Sequence, residues 1–340
     1  MAILGVAELI FGVDDLELCS RFWADFGLVP VARDESQAVF EVASGSRVTV
    51  RHRGDPRLPP AYFEWPGVRE TIWGVDTAEN LERLVAGLSR DRKVERTGDG
   101  TARCLADDGQ PLGLRVWHKR PVLSQPDAVN APGCIQRLNQ HRKWRQRARP
   151  KTINHVVFFS KDYVASFEFY RDRLGFRLTD HSKGLGVFAR ADGTFEHHSI
   201  FWVNADLPIT PGKNGYMHTA FGLEDIDELM LGANQMTEKG WVNKSMNSSG
   251  GLSRHRISSA IYYYIDNPAG GEAEYHADSD YVDDNWVARA WDWKFGAILW
   301  AHHMPPFFRT DNDNWDMSFD PAGRSLEPFR KRPAVTQQAG

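Results

Sequence analysis

The sequence predicts an α+β protein made of two halves of similar plan. Each half begins with an apolar strand followed by an amphipathic helix, at 6–11 and 16–26 in the first half and at 153–160 and 162–174 in the second. An offset of 147 residues aligns these elements and places Glu8 on His155. Internal duplication is the simplest explanation of such a repeat.

Length and composition indicate a globular enzyme-sized chain. Its 340 residues, 41% of them hydrophobic, can bury a large core and allow about two domains. A net charge of -4 argues against a nucleic-acid partner bound through its phosphates. The three cysteines form neither a disulfide framework nor a zinc motif. Because the sequence has no apolar run near 18 residues and no basic N-terminal region, we expect a cytoplasmic protein that does not bind membranes.

Composition divides the chain into four segments. We expect a first domain at 1–125, a linker at 126–150, a second domain at 151–290 and a terminal segment at 291–340. The linker is rich in Pro and carries five basic residues between 142 and 149, which fit a solvated connector, an interface arm or a patch for an anionic partner. The aromatic start of the terminal segment is typical of a cap over a pocket, and we expect its last eight residues to be disordered.

A hairpin in the second half presents two carboxylates on one face. An apolar strand at 260–265 leads into the turn sequence Asn267-Pro-Ala-Gly, and Glu272 and Glu274 follow. Because side chains alternate along a strand, both glutamates share a face. If that face is buried, a carboxylate there needs a metal or a cation as its partner; if it is solvated, both are ordinary surface residues.

Two histidines favour the metal interpretation. His155 lies within the strand at 153–160 and His218 within a strand at 215–222. A single histidine in a strand is more often a core residue. Two histidines and one carboxylate from three strands, however, form the facial triad that holds Fe(II) with positions open for substrate and O2.

The order of these features resembles the vicinal oxygen chelate superfamily, and within it the type I extradiol ring-cleaving dioxygenases. The resemblance is strong over 151–290 and weak in the first half. It implies two domains of paired βαβββ modules with the metal site in the C-terminal domain. It also selects Glu274 over Glu272 as the third ligand beside His155 and His218. The same ligands accept Mn(II) in place of Fe(II).

Three further positions match that enzyme group, namely His198, His255 and Tyr264. The resemblance implies that His198 donates a hydrogen bond or proton to bound dioxygen, that Tyr264 orients the substrate and helps to deprotonate it, and that His255 supports it. We expect the neighbouring His197 to point away from the site.

The function implied by the resemblance is extradiol cleavage of a substituted catechol by O2, giving a muconic semialdehyde-type product, in aromatic hydrocarbon catabolism. An enzyme like 4-hydroxyphenylpyruvate dioxygenase, a glyoxalase-like metal isomerase and a ligand-sequestering protein are the alternatives. Relatives of this group are usually multimers, so we expect a homo-oligomer.

The duplication also predicts that the first half binds no metal. The ligand positions fall on Glu8, near Trp73 and on Gly113, which cannot reproduce the triad. We expect the substrate pocket of the second half to lie among Phe188, Trp202, the loop at 245–256 and the aromatic terminal segment.

Overall fold

A computed structural model describes residues 2–64, 66–243, 250–308 and 316–331. The expected disorder at the end of the chain and the part of the pocket loop at 245–249 lie outside these ranges. Within them, no helix is long and apolar enough to cross a membrane.

Four βαβββ modules follow one another along the chain, as the resemblance implies. The first comprises β1 (Ile3–Val13), α1 (Leu16–Asp25), β2 (Val29–Arg33), β3 (Gln37–Glu41) and β4 (Arg47–His52). The second comprises β5 (Gly67–Val75), α2 (Ala78–Leu88), β6 (Glu95–Arg96), β7 (Ala102–Leu105) and β8 (Pro111–Val116).

The second half repeats the pattern and then adds a terminal segment. Its first module comprises β9 (Thr152–Ser160), α3 (Tyr163–Leu174), β10 (Arg177–Lys183), β11 (Gly186–Arg190) and β12 (Ile200–Asn204). The next comprises β13 (Gly215–Gly222), α4 (Ile226–Glu238), β14 (Gly250–Arg254), β15 (Ile261–Asp266) and β16 (Glu272–Ala277). The terminal segment contributes β17 (Arg289–Asp292), α5 (Trp293–Ala297), β18 (Trp300–His303) and β19 (Met317–Phe319), with 3-10 turns at Pro306–Phe308 and Arg324–Phe329.

The helices α1 and α3 begin where the sequence predicts, and α4 begins in the same way. The carboxylates of Asp15, Asp162 and Asp225 each accept a hydrogen bond from the backbone N–H three residues later, which satisfies one of the free donors of the first turn. Helix α3 ends at Gly175, whose φ of 79° lies in the left-handed region that glycine adopts without strain.

Each half forms one sheet around its first strand. The first sheet has the order β2-β3-β4-β1-β5-β8-β7-β6, and the second has the order β18-β14-β15-β16-β13-β9-β12-β11-β10-β17-β19. In both, the first strand pairs parallel with the last strand of its own module and antiparallel with the first strand of the next. The duplication is therefore visible in the pairing as well as in the order of elements.

A continuous core joins the two halves. The ring of Phe26 stacks on Tyr275 at 4.1 Å, and the Tyr275 hydroxyl donates to the Phe26 carbonyl at 2.8 Å. On the other side of the molecule Trp73 contacts Phe176 edge to face at 4.9 Å. Aromatic side chains of this size dominate the burial energy, so the halves stabilise each other.

The linker has no helix or strand, and its basic run is paired within the chain. Arg142 binds Asp227 at 2.6 Å, and Arg145 binds Glu224 at 2.9 Å and Asp225 at 2.5 Å. These carboxylates lie at the start of α4, where negative charge also favours the helix dipole. Arg142 and Arg145 thus already have anionic partners, which weakens the case for an anionic-partner patch.

Replacing Gly270 by Ala should destabilise the protein by about 3 kcal/mol, because φ is +110° and an added Cβ would lie 2.1 Å from the Pro66 carbonyl oxygen. Gly240→Ala is the matched control, since φ is +86° and nothing lies within 4 Å. That control should lose only about 1 kcal/mol. Urea unfolding of both variants measures the difference; equal losses would mean that the contact with Pro66 is not tight in solution.

Candidate metal centre

Strand pairing brings the three predicted ligands to one place. Strand β13 lies between β9 and β16, and Ala220 pairs with His155 on one side and with Glu274 on the other. His218 lies two residues before Ala220. Since side chains two apart point to the same face, all three ligands project from the same face of the sheet.

The ligand atoms lie at distances that fit one metal ion. The Nε2 atom of His218 is 3.1 Å from Oε2 of Glu274, and Nε2 of His155 is 3.4 Å from the same oxygen. The two Nε2 atoms are 3.4 Å apart. Ligands bound about 2.1 Å from a metal at right angles lie about 3 Å from each other. Two imidazoles and a carboxylate suit Fe(II) or Mn(II).

The remaining polar atoms of the ligands orient them for this role. Oε2 of Glu274 is buried and has no hydrogen bond of good geometry among the described residues, whereas Oε1 contacts Nδ1 of His276 at 3.1 Å. Nδ1 of His155 lies 2.9 Å from Oδ1 of Asn154. That contact fixes the hydrogen of His155 on Nδ1 and leaves Nε2 free, the usual arrangement behind a metal-binding histidine.

Burial and neighbours keep two of the ligands, His155 and Glu274, in their metal-binding forms. Burial lowers the pKa of His155 to about 3, so the imidazole is neutral at pH 7. Burial alone would raise the pKa of Glu274, but contacts with His155, His218 and His276 hold it well below its usual range. Neutral imidazoles and an ionised carboxylate are the protonation states that a divalent metal needs.

Glu272 shares the buried face with Glu274, as the alternation predicts, but it does not join the triad. It pairs across the strands with His218, and its Oε1 accepts a hydrogen bond from Asn243 at 2.9 Å. The atoms that converge on the two histidines belong to Glu274.

A cavity of about 760 Å³ opens over the triad. His155 and His218 line it together with the three further predicted residues His198, His255 and Tyr264. The rest of its wall is mainly apolar and includes Phe188, Phe201, Val203, Ile209, Ile257, Ile298 and Phe308. Ile298 and Phe308 come from the aromatic terminal segment, which therefore covers the pocket as expected.

The prediction for Trp202 is wrong. Its side chain is 1% exposed and packs against Tyr170 at 4.9 Å on the far face of the sheet. Its neighbours Phe201 and Val203 line the cavity instead. Because side chains alternate along β12, either Trp202 or the pair Phe201 and Val203 can face the pocket, and the sequence alone did not show which.

His198 and Tyr264 lie against the ligands themselves. The ring of His198 is 4.0 Å from that of His155, and burial holds its pKa well below its usual range. Tyr264 pairs directly with Glu274 in the hairpin, and its ring is 4.9 Å from that of His218. Burial, and then the charge of Glu274, raises the pKa of the Tyr264 phenol well above its usual range.

His255 lies farther along the cavity wall and is held from two sides. Its ring stacks on Tyr262 at 3.8 Å, and its Nδ1 contacts the carbonyl oxygen of Ala297 at 2.6 Å. The carbonyl can only accept, so the hydrogen of His255 lies on Nδ1 and Nε2 is left for another partner.

His197 does not line the cavity, but it turns toward its neighbour. Its Nδ1 is 3.1 Å from Nδ1 of His198, and its Nε2 is 3.0 Å from Oδ2 of Asp180. Asp180 and its partner Arg289 were not found from the sequence. A charged residue in the middle of β10 is the signal that could have found Asp180.

The first half carries two carboxylates where the second carries histidines. Glu8 pairs with Ile72, and Ile72 with Gly113, as His155 pairs with Ala220 and Ala220 with Glu274. The equivalent of His218, two residues before Ile72, is therefore Glu70, and the expected equivalence with Trp73 is wrong by three residues. Gly113 stands at the position of Glu274, as predicted.

Arginines occupy the neighbourhood of these two carboxylates. Arg115 binds Glu8 at 2.9 Å and Arg103 lies 2.8 Å from Glu70. A further acidic group among the described residues, Asp127, Asp225 and Asp227, is partly exposed and pairs with arginines of the linker.

Residues 152–271 match the family model described as Glyoxalase/Bleomycin resistance protein/Dioxygenase superfamily. The chain is 28% identical over 312 residues to metapyrocatechase 2 of Cupriavidus necator, which covers 90% of this chain and 92% of that protein. It is 29% identical over 163 residues to an iron-dependent extradiol dioxygenase of Rhodococcus jostii, covering 44% of this chain and 50% of that protein.

A solved structure shares the architecture. The Mn(II)-bound glyoxalase of Novosphingobium aromaticivorans superimposes with a TM-score of 0.68 over 93% of this chain and 98% of that one, at 20% sequence identity. This likeness shows that the two-domain α+β fold is common to both. Residues 152–271 thus combine a match to the model of the Glyoxalase/Bleomycin resistance protein/Dioxygenase superfamily with an architecture that a solved structure shares.

Proposed function

We propose that this protein is an extradiol catechol dioxygenase that uses O2 to open the ring of a substituted catechol beside its two hydroxyls. The observation that carries the proposal is the convergence of His155, His218 and Glu274 at one end of a mainly apolar cavity. The similarity over most of its length to a metapyrocatechase and the match to an iron-dependent extradiol dioxygenase support it.

The three ligands would hold Fe(II), or Mn(II) in its place. When bound, the metal brings the diol and O2 together and provides the path for electrons between them. The side chains that line the cavity provide the environment for the reaction. The apolar wall excludes water, and the stacked rings of Phe188 and Phe201, 3.8 Å apart, provide a flat surface beside His198.

The cavity residues divide the proton chemistry between them. Tyr264 lies beside the ligand carboxylate, and its raised pKa keeps the phenol protonated, so that it can donate to a substrate oxygen. His198 lies against His155, where its neutral ring can accept a proton from the diol and then donate it to the group derived from O2, the donor role that the resemblance implies. Nε2 of His255 is left to orient the substrate from the cavity wall.

Two alternatives share the fold and the triad. A 4-hydroxyphenylpyruvate-dioxygenase-like enzyme would not require His198, His255 and Tyr264 together, yet all three line this cavity. The observation that favours a glyoxalase-like isomerase is that the Mn(II)-bound glyoxalase structure has the same architecture as this protein. Incubating the Fe(II)-loaded protein with catechols without air and then admitting O2 separates them. A yellow ring-opened product with uptake of one O2 per catechol supports the proposal, and turnover without O2 contradicts it.

The proposal extends to the setting of the enzyme. The three cysteines are free, which fits a reducing cytoplasm. Leu123, just before the linker, and Trp144 within it are 87% and 91% exposed, which fits an arm that contacts a second copy in a homo-oligomer. We also propose the domain limits 1–125 and 151–290, with the first domain as a structural partner.

Removing a ligand should remove the iron. His155→Ala, His218→Ala and Glu274→Ala should each lose most bound iron, because two ligands rarely retain a metal against solvent. Glu272→Ala is the matched control and should keep it. Iron analysis after gel filtration gives the result. Full iron in Glu274→Ala together with loss in Glu272→Ala would show that the hairpin is shifted in register.

The intact protein should bind about one iron per chain. Glu8 and Glu70 are already paired with arginines and Gly113 has no ligand atom, so we expect no second site at the corresponding place in the described part of the first half. Metal titration followed by elemental analysis measures the stoichiometry. A value near two would contradict this assignment of the first half.

His198 should matter for the reaction and not for metal binding. His198→Gln should keep iron content and catechol affinity, while kcat and kcat/KM fall together by about 10²- to 10⁴-fold, the loss typical of one acid-base group. Steady-state kinetics and iron analysis on the same preparation make the distinction. Normal turnover per iron would leave His198 without a chemical role.

A further inference from the structure

Three buried polar side chains, Asp180, His197 and His198, form a row of hydrogen-bonded groups that ends at the cavity; this row is called the polar file. Asp180 on β10 contacts Nε2 of His197 at 3.0 Å, and Nδ1 of His197 contacts Nδ1 of His198 at 3.1 Å. The side chains of Asp180 and His197 are fully buried, and His198 is 4% exposed. Burying three polar groups in a row is costly unless each bond is made, so the bonds in this file determine where its hydrogens lie.

The far end of the file is fixed by nitrogen donors. The guanidinium of Arg289 contacts Oδ2 of Asp180 at 2.6 Å, and the Arg289 backbone N–H donates to Oδ1 at 2.9 Å. The indole N–H of Trp291 lies 3.3 Å from Oδ2. Because all of these groups are donors, the oxygens of Asp180 must act as acceptors.

The acceptor role of Asp180 determines which nitrogen atoms of His197 and His198 carry a hydrogen. Since Asp180 accepts, Nε2 of His197 must carry a hydrogen, and in a neutral imidazole Nδ1 of His197 is then an acceptor. The only partner of that Nδ1 among the described residues is Nδ1 of His198, which must donate. Nε2 of His198 is left without a hydrogen, on the ring that lines the cavity.

We propose that His197, held by Asp180, is a positioning residue that fixes the hydrogen of His198 on Nδ1 and so makes its Nε2 the proton acceptor of the reaction. This inference rests on the proposed function. His198 Nε2 takes one proton from a substrate hydroxyl, its Nδ1–H bond to His197 stays in place, and the same proton is then available for donation. The ring orientation is set as well, because the bond to His197 prevents rotation.

Two variants of His197 separate hydrogen bonding from packing. His197→Phe fills the space of the ring but has no acceptor, whereas His197→Asn places Oδ1 near the position of Nδ1 and can accept from His198. We expect kcat to fall about 10²-fold in His197→Phe and to return to within about fivefold of the parent in His197→Asn. Iron content and KM should remain those of the parent in both.

Asp180→Asn tests the direction of the bonds. In the rotamer that places its amide nitrogen at the position of Oδ2, this variant donates to Nε2 of His197, which moves the hydrogen of His197 to Nδ1 and that of His198 to Nε2, so the acceptor is lost. The corresponding change acts in this way in Ser-His-Asp enzymes. Its kcat should resemble that of His197→Phe, with iron unchanged.

A second readout does not depend on turnover. In protein labelled with ¹⁵N-histidine and loaded with diamagnetic Zn(II), Nδ1 of His198 should give a protonated-type signal and Nε2 an unprotonated one, assigned by their loss in His198→Gln. Asp180→Asn should exchange the two types. A parent protein in which Nδ1 of His198 gives an unprotonated-type signal, or equal kcat in His197→Phe and the parent, would overturn the proposal.

The outcomes distinguish this inference from the proposed function. If the parent protein with Fe(II) does not cleave catechols, the function fails, and the ¹⁵N signals still report on the file. If the parent is active and His197→Phe and His197→Asn are equally slow, packing explains His197 and the positioning role is wrong. If His197→Phe does not fold, Asp180→Asn and His197→Asn decide the question.

Discussion

Strand register is the constraint on which the candidate site depends. His155, His218 and Glu274 are more than 50 residues apart in sequence, and only the pairing of β9, β13 and β16 brings them together. A slip of one residue in any strand would turn its ligand to the other face of the sheet. Part of the register is set by an irregularity at Met217. Tyr216 pairs with Phe158 and His218 pairs with the adjacent Val157, so the extra residue Met217 leaves His218 turned toward the cavity.

The first half preserves that irregularity without the ligands. Strand β5 has the same kind of shift beside Ile10, so Glu70 occupies the place of His218. Two buried carboxylates, Glu8 and Glu70, would repel each other unless cations neutralise them, and Arg115 and Arg103 lie beside them. Burial nevertheless raises the pKa of Glu70 to about 7. After duplication, side-chain cations thus occupy the neighbourhood that corresponds to the metal centre.

Local patterns made much of the site predictable. The helix starts at Asp162 and Asp225 follow from capping chemistry, and the turn before Glu272 follows from its Asn-Pro-Ala-Gly sequence, so the strands that carry the ligands could be located. The resemblance then identified which residues on those strands to consider. Local pattern could not show which face of β12 meets the cavity, because Phe201, Trp202 and Val203 are all apolar and all buried. The error at Trp202 follows from that ambiguity.

Contacts between distant segments could not be predicted from the sequence, for a different reason. Asp180, His197 and Arg289 come from separate parts of the chain, and nothing in the spacing of one indicates the others. They meet because β17, which leads into the terminal segment, adds to the edge of the sheet beside β10, where Arg289 pairs with Asp180. Arg289 lies just before the segment that looked from its composition like an aromatic cap, so the strand that leads into that segment supplies the charge beside the polar file behind the cavity.

The two halves are linked through the strand that carries the third ligand. Along β16, Glu274 points toward His155 and His218, and Tyr275 points to the opposite side, where its ring stacks on Phe26 and its hydroxyl donates to the Phe26 carbonyl. The turn before this strand packs Gly270 against the backbone at Pro66. The partners in these two contacts, Phe26 and Pro66, both belong to the first half. Because alternation couples the two faces of a strand, fixing Tyr275 against the first half also fixes the direction of Glu274. The half that lacks the triad therefore contributes to the candidate metal centre through packing, which gives a physical reason for a duplicated chain to keep it.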